Sequence, residues 1–397
     1  MSVGTAFHPR TEPRNRKMQW REWSGYFAAS VYADSHDIEY NAIREQAALI
    51  DVSPLYKYEI RGRDAERLVD RVITRDATRL KVGHVYYSPW CDEDGKVVDD
   101  GTIHRLAADR FRWTAADPQY RWFHLNAAGL DVEIEDTSES VAALAIQGPL
   151  SRAVLEAAGG EDLAGLRYFR RRATTIAGIP VDVSRTGYTG DLGYELWVPA
   201  QDAVALWDAL VGAGKPFGIR PAGMIALDVV RLEAGLVLLE VDYTSTRHAM
   251  NAEQAYSPGE IGLGRLVDFE KGDFVGRRAL LAERQAGGPR RRLVGLEIDW
   301  VDIDAMYNAQ GLPPTAPAIV ERAPVPLFDL GGRQVGRITS HGWSPILKKP
   351  IALASVPPAF ERPGTRLQAE WTVEARRGKV AATVVELPFL DLPRKRA

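Results

Sequence analysis

The chain has 397 residues, 45% hydrophobic and 26% charged, a globular composition that excludes a disordered or fibrous chain and suggests two or three domains. Its formal net charge of −3 gives no global field favouring nucleic acid, and no zinc-finger, RRM or basic-helix pattern is present. The single cysteine, Cys91, excludes an internal disulfide framework, and no run of 18 apolar residues offers a membrane span.

Residues 1–17 read as a polar N-terminal arm with two prolines and without the apolar stretch of a secretory leader, so a cytoplasmic protein with no membrane partner is expected. From 18 to 285 short strands and short helices alternate. Residues 54–61 alternate like a strand, and 63–73 place Leu68, Val69, Val72 and Ile73 on one helical stripe. VEIE at 132–135 and VAALAI at 141–146 read as strands, followed by a helix with Pro149 at its first position and Gly159 after its end. Without long crossover helices, this is an α+β pattern and not a doubly wound sheet. The polar break around 283–292 marks a boundary. Beyond it, over 290–397, six short strands separated by turn signals predict a small β-barrel or sandwich, interrupted by a long irregular insertion over 300–323.

Several chemistries have no signature here. The seven histidines form no HExxH and no close pair, so no metal site is expected. Rossmann, P-loop and G-x-S-x-G motifs are not found either. Acid–base chemistry, an organic cofactor or binding alone remain.

Four segments stand out. CDEDGKVVDDGTI (91–103) ends a turn with Asp99 and Asp100, whose side chains point to opposite faces of a strand; a solvated turn is the plain alternative. In VDVSRTGYTGDLGYELWVP (181–199), two strands flank a turn holding Gly187, Gly190 and Gly193. There Glu195 and Trp197 share one face, where a carboxylate beside an indole suits a planar, nitrogen-rich ligand; an ordinary hairpin with Glu195 in solvent is the alternative. The third segment, 220–248, sets Asp228 and Arg231 at i,i+3 on an apolar helix, a natural ion pair, with a following strand delivering Asp242 and Tyr243 and with Arg247 and His248 behind. The fourth, 340–356, is a turn bearing Trp343 that leads into a strand, where packing explains the tryptophan equally well.

Taken together with REQAALIDVS (44–53), YYSPWCDEDGKVVDD (86–100), LAIQGPLS (144–151), RTGYTGDLGYEL (185–196), RLEAGL (231–236), FVGRRAL (274–280) and SHGWSP (340–345), these segments resemble the aminomethyltransferase family, the folate-binding T-protein of glycine cleavage and its relatives. The resemblance implies a three-part α+β cloverleaf around a central folate pocket, with a C-terminal β-barrel. It implies tetrahydrofolate as cofactor, Asp99 as the catalytic aspartate, and Glu195, Tyr188, Tyr87 and Asp228 as cofactor-binding residues. Arg247, His248, Trp343 and Tyr56 are substrate-binding candidates. Tyr243 is a second catalytic candidate, because a phenol is matched in pKa to a phenolic leaving oxygen.

The chain also departs from the T-protein pattern. Leu227-Asp228 stands where T-proteins carry Arg-Asp, Pro54 replaces the histidine of DVSHM, and Glu240-Val241-Asp242 replaces Gly-Asn-Asp. The basic end, Arg394, Lys395 and Arg396, reads as a solvated tail or a contact for the folate glutamate. These departures resemble the tetrahydrofolate-dependent demethylase branch, which moves a methyl group from a small O- or N-methylated compound. Two alternatives stand beside it. One is a glycine cleavage aminomethyltransferase working with a lipoyl carrier protein. The other is a non-enzymatic folate-binding assembly factor, although FEKGDFVGRRAL (269–280) lacks that branch's cysteine.

Overall fold

The computed structural model describes residues 1–160 and 163–396 and divides into two compact units. The first comprises Met1–Trp90, Asp99–Leu227 and the tail from Leu392 on; the second comprises Cys91–Val98 and Asp228–Asp391. Mixed helices and sheets fill the first, and a closed barrel dominates the second.

In the first unit a six-stranded sheet runs in the order Arg171–Ile176, Ile179–Ser184, Gly193–Pro199, Val141–Gln147, Ala48–Asp51 and Arg220–Pro221. The alternation in Gly193–Pro199 decides how it packs. Tyr194, Leu196 and Val198 are at most 1% exposed and join one core with Val154 and Leu155 of the helix Ser151–Ala157 and Leu206, Trp207 and Leu210 of the helix Ala203–Gly214. Glu195 and Trp197 are left on the other face. The helix after Gly148 begins at Ser151, not at Pro149, because Gly148 turns the chain at φ 121° and Ser151 closes that turn onto its carbonyl.

The second sheet has the order Val85–Cys91, Val97–Ala107, Arg110–Ala115, Tyr56–Arg61, Glu133–Asp136. The helix Ala65–Val72 buries Leu68, Val69 and Val72 completely, as its stripe predicts. Trp90, Trp113, Tyr58 and Phe123 form a ring cluster with Trp113 and Phe123 centroids 4.4 Å apart.

The polar arm is tied down. Val3 pairs with Tyr26, Thr5 donates to Asp51 at 2.5 Å, and Phe7 is fully buried against Trp207 with ring centroids 6.0 Å apart.

In the second unit all six predicted strands form, as the closed barrel Arg292–Ile298, Lys349–Val356, Gln334–Ser344, Val325–Phe328, Arg366–Val373, Arg376–Val385. Its interior alternates small and large side chains, among them Ile338, Ala352, Ala354, Leu367 and Ala382. Three local expectations are corrected here. The insertion holds a helix, Trp300–Asn308, started by Asp299, whose carboxylate accepts from the Val301 and Asp302 N–H groups. The SHGWS segment lies within a strand instead of a turn. The residues after Val237 form turns with isolated bridges and no strand, with Glu240 at φ 61°. No helix among the described residues is long and apolar enough to cross a membrane.

Phe7→Ala should cost about 3–5 kcal/mol, the usual cost of emptying a fully buried aromatic site. Urea unfolding followed by tryptophan fluorescence measures it, and a cost below about 1 kcal/mol would mean that the arm does not dock in solution.

Candidate functional site

Strand parity orients the carboxylate pair. Ile103 pairs with Trp113 on the face of the ring cluster, so Asp99 and Gly101 share that face, while Asp100, Thr102 and His104 share the other. Asp99 is fully buried and its carboxylate is occupied: Oδ1 accepts from the Asp100 N–H, and Oδ2 from the Ala116 and Asp117 N–H groups and from Gln119 Nε2, at 2.7–3.1 Å. Burial and then the Asp100 charge push the Asp99 carboxyl well above its ordinary range, with backbone donors opposing. Asp99, the expected catalytic aspartate, is thus engaged by neighbouring donors on both oxygens. It fixes the loop 116–119, whereas half-buried Asp100 takes the Tyr87 hydroxyl on Oδ2 at 2.7 Å. Burial, followed by Asp100, raises the Tyr87 hydroxyl well above the usual phenol range, and Tyr188 adds to the same effect. Tyr87, Tyr188 and Asp100 are thus neighbours.

Glu195 lies on the other sheet, in the strand Gly193–Pro199. The glycine-rich turn before it closes over Gln147, whose amide donates to the Thr186 and Tyr194 carbonyls and accepts from Thr189. A Cβ on Gly187 or on Gly193 would come within 2.2 Å of the Gln147 Oε1, so a side chain at either position would displace the Gln147 amide from its hydrogen bonds. One Glu195 oxygen accepts the Thr186 hydroxyl in a short hydrogen bond. With Thr186 donating there, Ser184 donates to Thr186 and the Trp197 N–H donates to Ser184, so three donors run in one direction toward the carboxylate. The Glu195 Oε1 takes no hydrogen bond from any described residue. Burial raises its carboxyl, which Thr186 only partly offsets. A desolvated carboxylate with an open acceptor oxygen fits a ligand that offers N–H donors.

The two faces meet. His104 packs edge-on against Trp197 with centroids 5.3 Å apart, and Arg112 lies 5.2 Å over the same indole. Arg112 and Arg171 both bind Asp182 at 2.6 Å. His104, on the Asp100 face of one sheet, and Trp197, on the Glu195 face of the other, are thus in contact. Sequence reasoning singled out Asp100 only as the partner of Asp99 and did not name Thr186, Ser184 or Gln147. No local signal separates Asp100 from Asp99, because the face is set by the cross-strand pairing of Ile103 with Trp113. Tyr56, in the same unit, is half-buried, with its hydroxyl raised by burial and then by Asp117.

The remaining candidates lie in the second unit. Asp228, expected to contact cofactor, is 3% exposed and bound to Arg231 at 2.9 Å and Arg322 at 2.6 Å, so it is committed to a buried ion cluster that also includes Asp242. Tyr243 is 2% exposed. Arg247 and His248 are exposed, with His248 Nδ1 3.0 Å from Glu240. Trp343 packs edge-on against Trp300 at 5.2 Å. Arg394, which belongs to the first unit, pairs with Asp191 there at 2.7 Å while its side chain stays partly exposed. Among the described residues no group of three or more His, Cys, Asp or Glu side chains could hold a metal ion.

Residues 13–271 match the GCVT N-terminal domain, and residues 291–391 match the Glycine cleavage T-protein C-terminal barrel domain. The chain belongs to the glycine cleavage T-protein (aminomethyltransferase) family. An aminomethyltransferase from Symbiobacterium thermophilum is 39% identical over 90% of both chains. A trimethylamine-oxide aldolase from Ruegeria pomeroyi is 35% identical over 98% of this chain but only 47% of its own length, so the chain spans about half of that relative. The crystal structure of the glycine cleavage system aminomethyltransferase T from Bartonella henselae superposes with a TM-score of 0.82 at 27% identity, covering 98% of this chain and 99% of that one. The relatives named here are enzymes.

The His104–Trp197 contact carries a pH signature. Burial holds fully buried His104 down at about 3. Below about pH 6.5 the unfolded chain binds a proton that folded His104 refuses, so stability falls as pH drops from 6.5 toward 3 by about 1.4 kcal/mol per pH unit for this one group. Denaturant titrations at pH 7, 6 and 5 should show a shallower decline in His104→Gln. An identical decline in both proteins would mean that His104 is not held neutral.

Proposed function

We propose that this chain is a tetrahydrofolate-dependent methyltransferase that removes a methyl group from a small O- or N-methylated compound. The observation that carries the reading is the Glu195 carboxylate, held by Thr186 on one oxygen while Oε1 takes no hydrogen bond from a described residue, on the strand whose Trp197 meets His104 of the strand bearing Asp100 and its Tyr87 partner. When bound, tetrahydrofolate supplies the nucleophilic nitrogen that takes the methyl group. Glu195 accepts the ligand's N–H donors, and the Trp197–Ser184–Thr186 relay keeps that carboxylate oriented. Tyr87 fixes the half-buried Asp100 carboxylate through its hydroxyl, and an Asp100 oxygen can take or hold the proton exchanged during transfer. Leu227 in place of an arginine and the similarity to an enzyme named for a methylated amine oxide support the demethylase branch.

The similarity to the Symbiobacterium aminomethyltransferase over 90% of both chains favours a second reading, transfer from an aminomethylated lipoyl carrier. Tetrahydrofolate-dependent methyl loss, assayed across methoxy-aromatics, betaines and methylated amines, beside ammonia release from the loaded carrier, separates the two.

Asp100→Asn should lower turnover by about 10²–10⁴, the range for a positioned acid–base group, with a much smaller change in folate affinity. Asp99→Asn should act through stability, at about 1–3 kcal/mol, because an amide nitrogen would face buried N–H donors. Steady-state kinetics beside thermal melts decide, and a kinetic defect confined to Asp99→Asn would return the catalytic role to that residue.

At a hundredfold excess over its dissociation constant, tetrahydrofolate should stabilise the wild type by about 2.7 kcal/mol. Glu195→Ala should abolish most of the corresponding thermal shift. A full shift in the variant would remove Glu195 from the site.

A further inference from the structure

The glycine-rich turn that carries Tyr188 and leads into Glu195 is gripped at both ends by the end of the chain. At its far end Asp191, whose side chain is fully buried, accepts Arg394 Nε on Oδ1 at 2.7 Å and Arg394 Nη2 on Oδ2 at 2.8 Å. The same Oδ1 accepts the Leu192 N–H at 2.8 Å, and Oδ2 accepts Arg44 Nη1 at 3.3 Å. Arg394 Nη2 also reaches the Arg44 carbonyl at 2.8 Å, and Arg44 donates to the Thr189 carbonyl at 2.9 Å. At the near end Arg185, the first residue of the RTGYTG run, donates to the Arg394 and Lys395 carbonyls at 3.4 and 3.3 Å. From Asp191 the connection runs inward: its N–H donates to Thr189, Thr189 donates to Gln147, and Gln147 donates to the Thr186 carbonyl beside the hydroxyl that holds Glu195.

The geometry points to Arg394 as a positioning residue that fixes the 186–193 turn and, through it, the Glu195 carboxylate and Tyr188. Arg394 touches no reacting atom; its fork pins the turn at Asp191 while its own carbonyl is pinned by Arg185. The ligand arm of the test rests on the tetrahydrofolate reading, whereas the arm that follows the turn itself does not. The arrangement also separates positioning from folding. When Arg394 is removed, Asp191 keeps Arg44 and the Leu192 N–H, so the buried carboxylate is not abandoned.

The full chain is compared as wild type, Arg394→Ala and Arg394→Lys. Amide hydrogen exchange over 186–193 should rise by about tenfold or more in Arg394→Ala while the helix Ala203–Gly214 keeps its protection. The tetrahydrofolate dissociation constant, measured by calorimetry, should rise about tenfold, with kcat at saturation within about threefold of wild type. Lysine should recover part of the affinity, and guanidinium ion at millimolar concentration should recover part of it in Arg394→Ala, which a general loss of fold would not permit. Unchanged exchange across the turn overturns the proposal, as does a dissociation constant within about twofold of a folate-binding wild type. A wild type that binds no tetrahydrofolate would refute the folate reading, and the exchange comparison would then decide the positioning role alone.

Discussion

Asp182 sits where the two sheets of the first unit meet, and it receives Arg112 from one sheet and Arg171 from its own at 2.6 Å each. Burial alone would raise its carboxyl, but Arg112 and Arg171 outweigh that and hold it below the ordinary value. Removing either partner from a buried pair leaves a charge without compensation, which is far costlier than the pair's net worth. The triad therefore specifies how the sheets face each other more than how strongly they adhere. Everything polar on those inner faces has to be satisfied inside the constraint it sets.

That constraint explains why the site is polar in a place where an ordinary sandwich would be apolar. The six-stranded sheet already buries Tyr194, Leu196 and Val198 against helices, so its second face is free to carry Glu195 and the hydroxyl relay. On the opposing sheet Asp100, Thr102 and His104 lie in line, with Thr102 bonded to both His104 and Thr114. A histidine held neutral by burial lies edge-on to the Trp197 indole of the facing sheet. The polar groups thus occupy the face that the hydrophobic core leaves over.

Much of this was legible in the sequence, and the gaps have physical reasons. Alternation exposed the strand carrying Glu195, and turn signals marked all six barrel strands, because period-two patterning is local. Alternation also says that Asp99 and Asp100 face apart, but choosing between the faces requires knowing that Trp113 packs beside Ile103, a cross-strand fact. The helix Trp300–Asn308 buries only Ile303 among its described residues, so no apolar stripe announced it, although Asp299 was a readable cap. The Asp228–Arg231 pair was visible as i,i+3 spacing; the addition of Arg322, 94 residues away, was not. Arg394 meets Asp191 across 203 residues, a distance at which composition says only that a basic segment exists.

The discontinuity of the units has a consequence for dissection of the chain. The first unit lends Cys91–Val98 to the second and takes back the tail from Leu392 on. A cut at the polar break near 290, the natural place to separate two modules, would therefore leave each fragment holding part of the other. The larger piece would keep every residue of its sheets yet lose the guanidinium on Asp191, and the smaller would carry that guanidinium with no carboxylate to meet. Two such fragments are better mixed than studied alone. Recovery of the site on mixing would measure how far a few residues at one terminus serve as a keystone for a turn two hundred positions upstream.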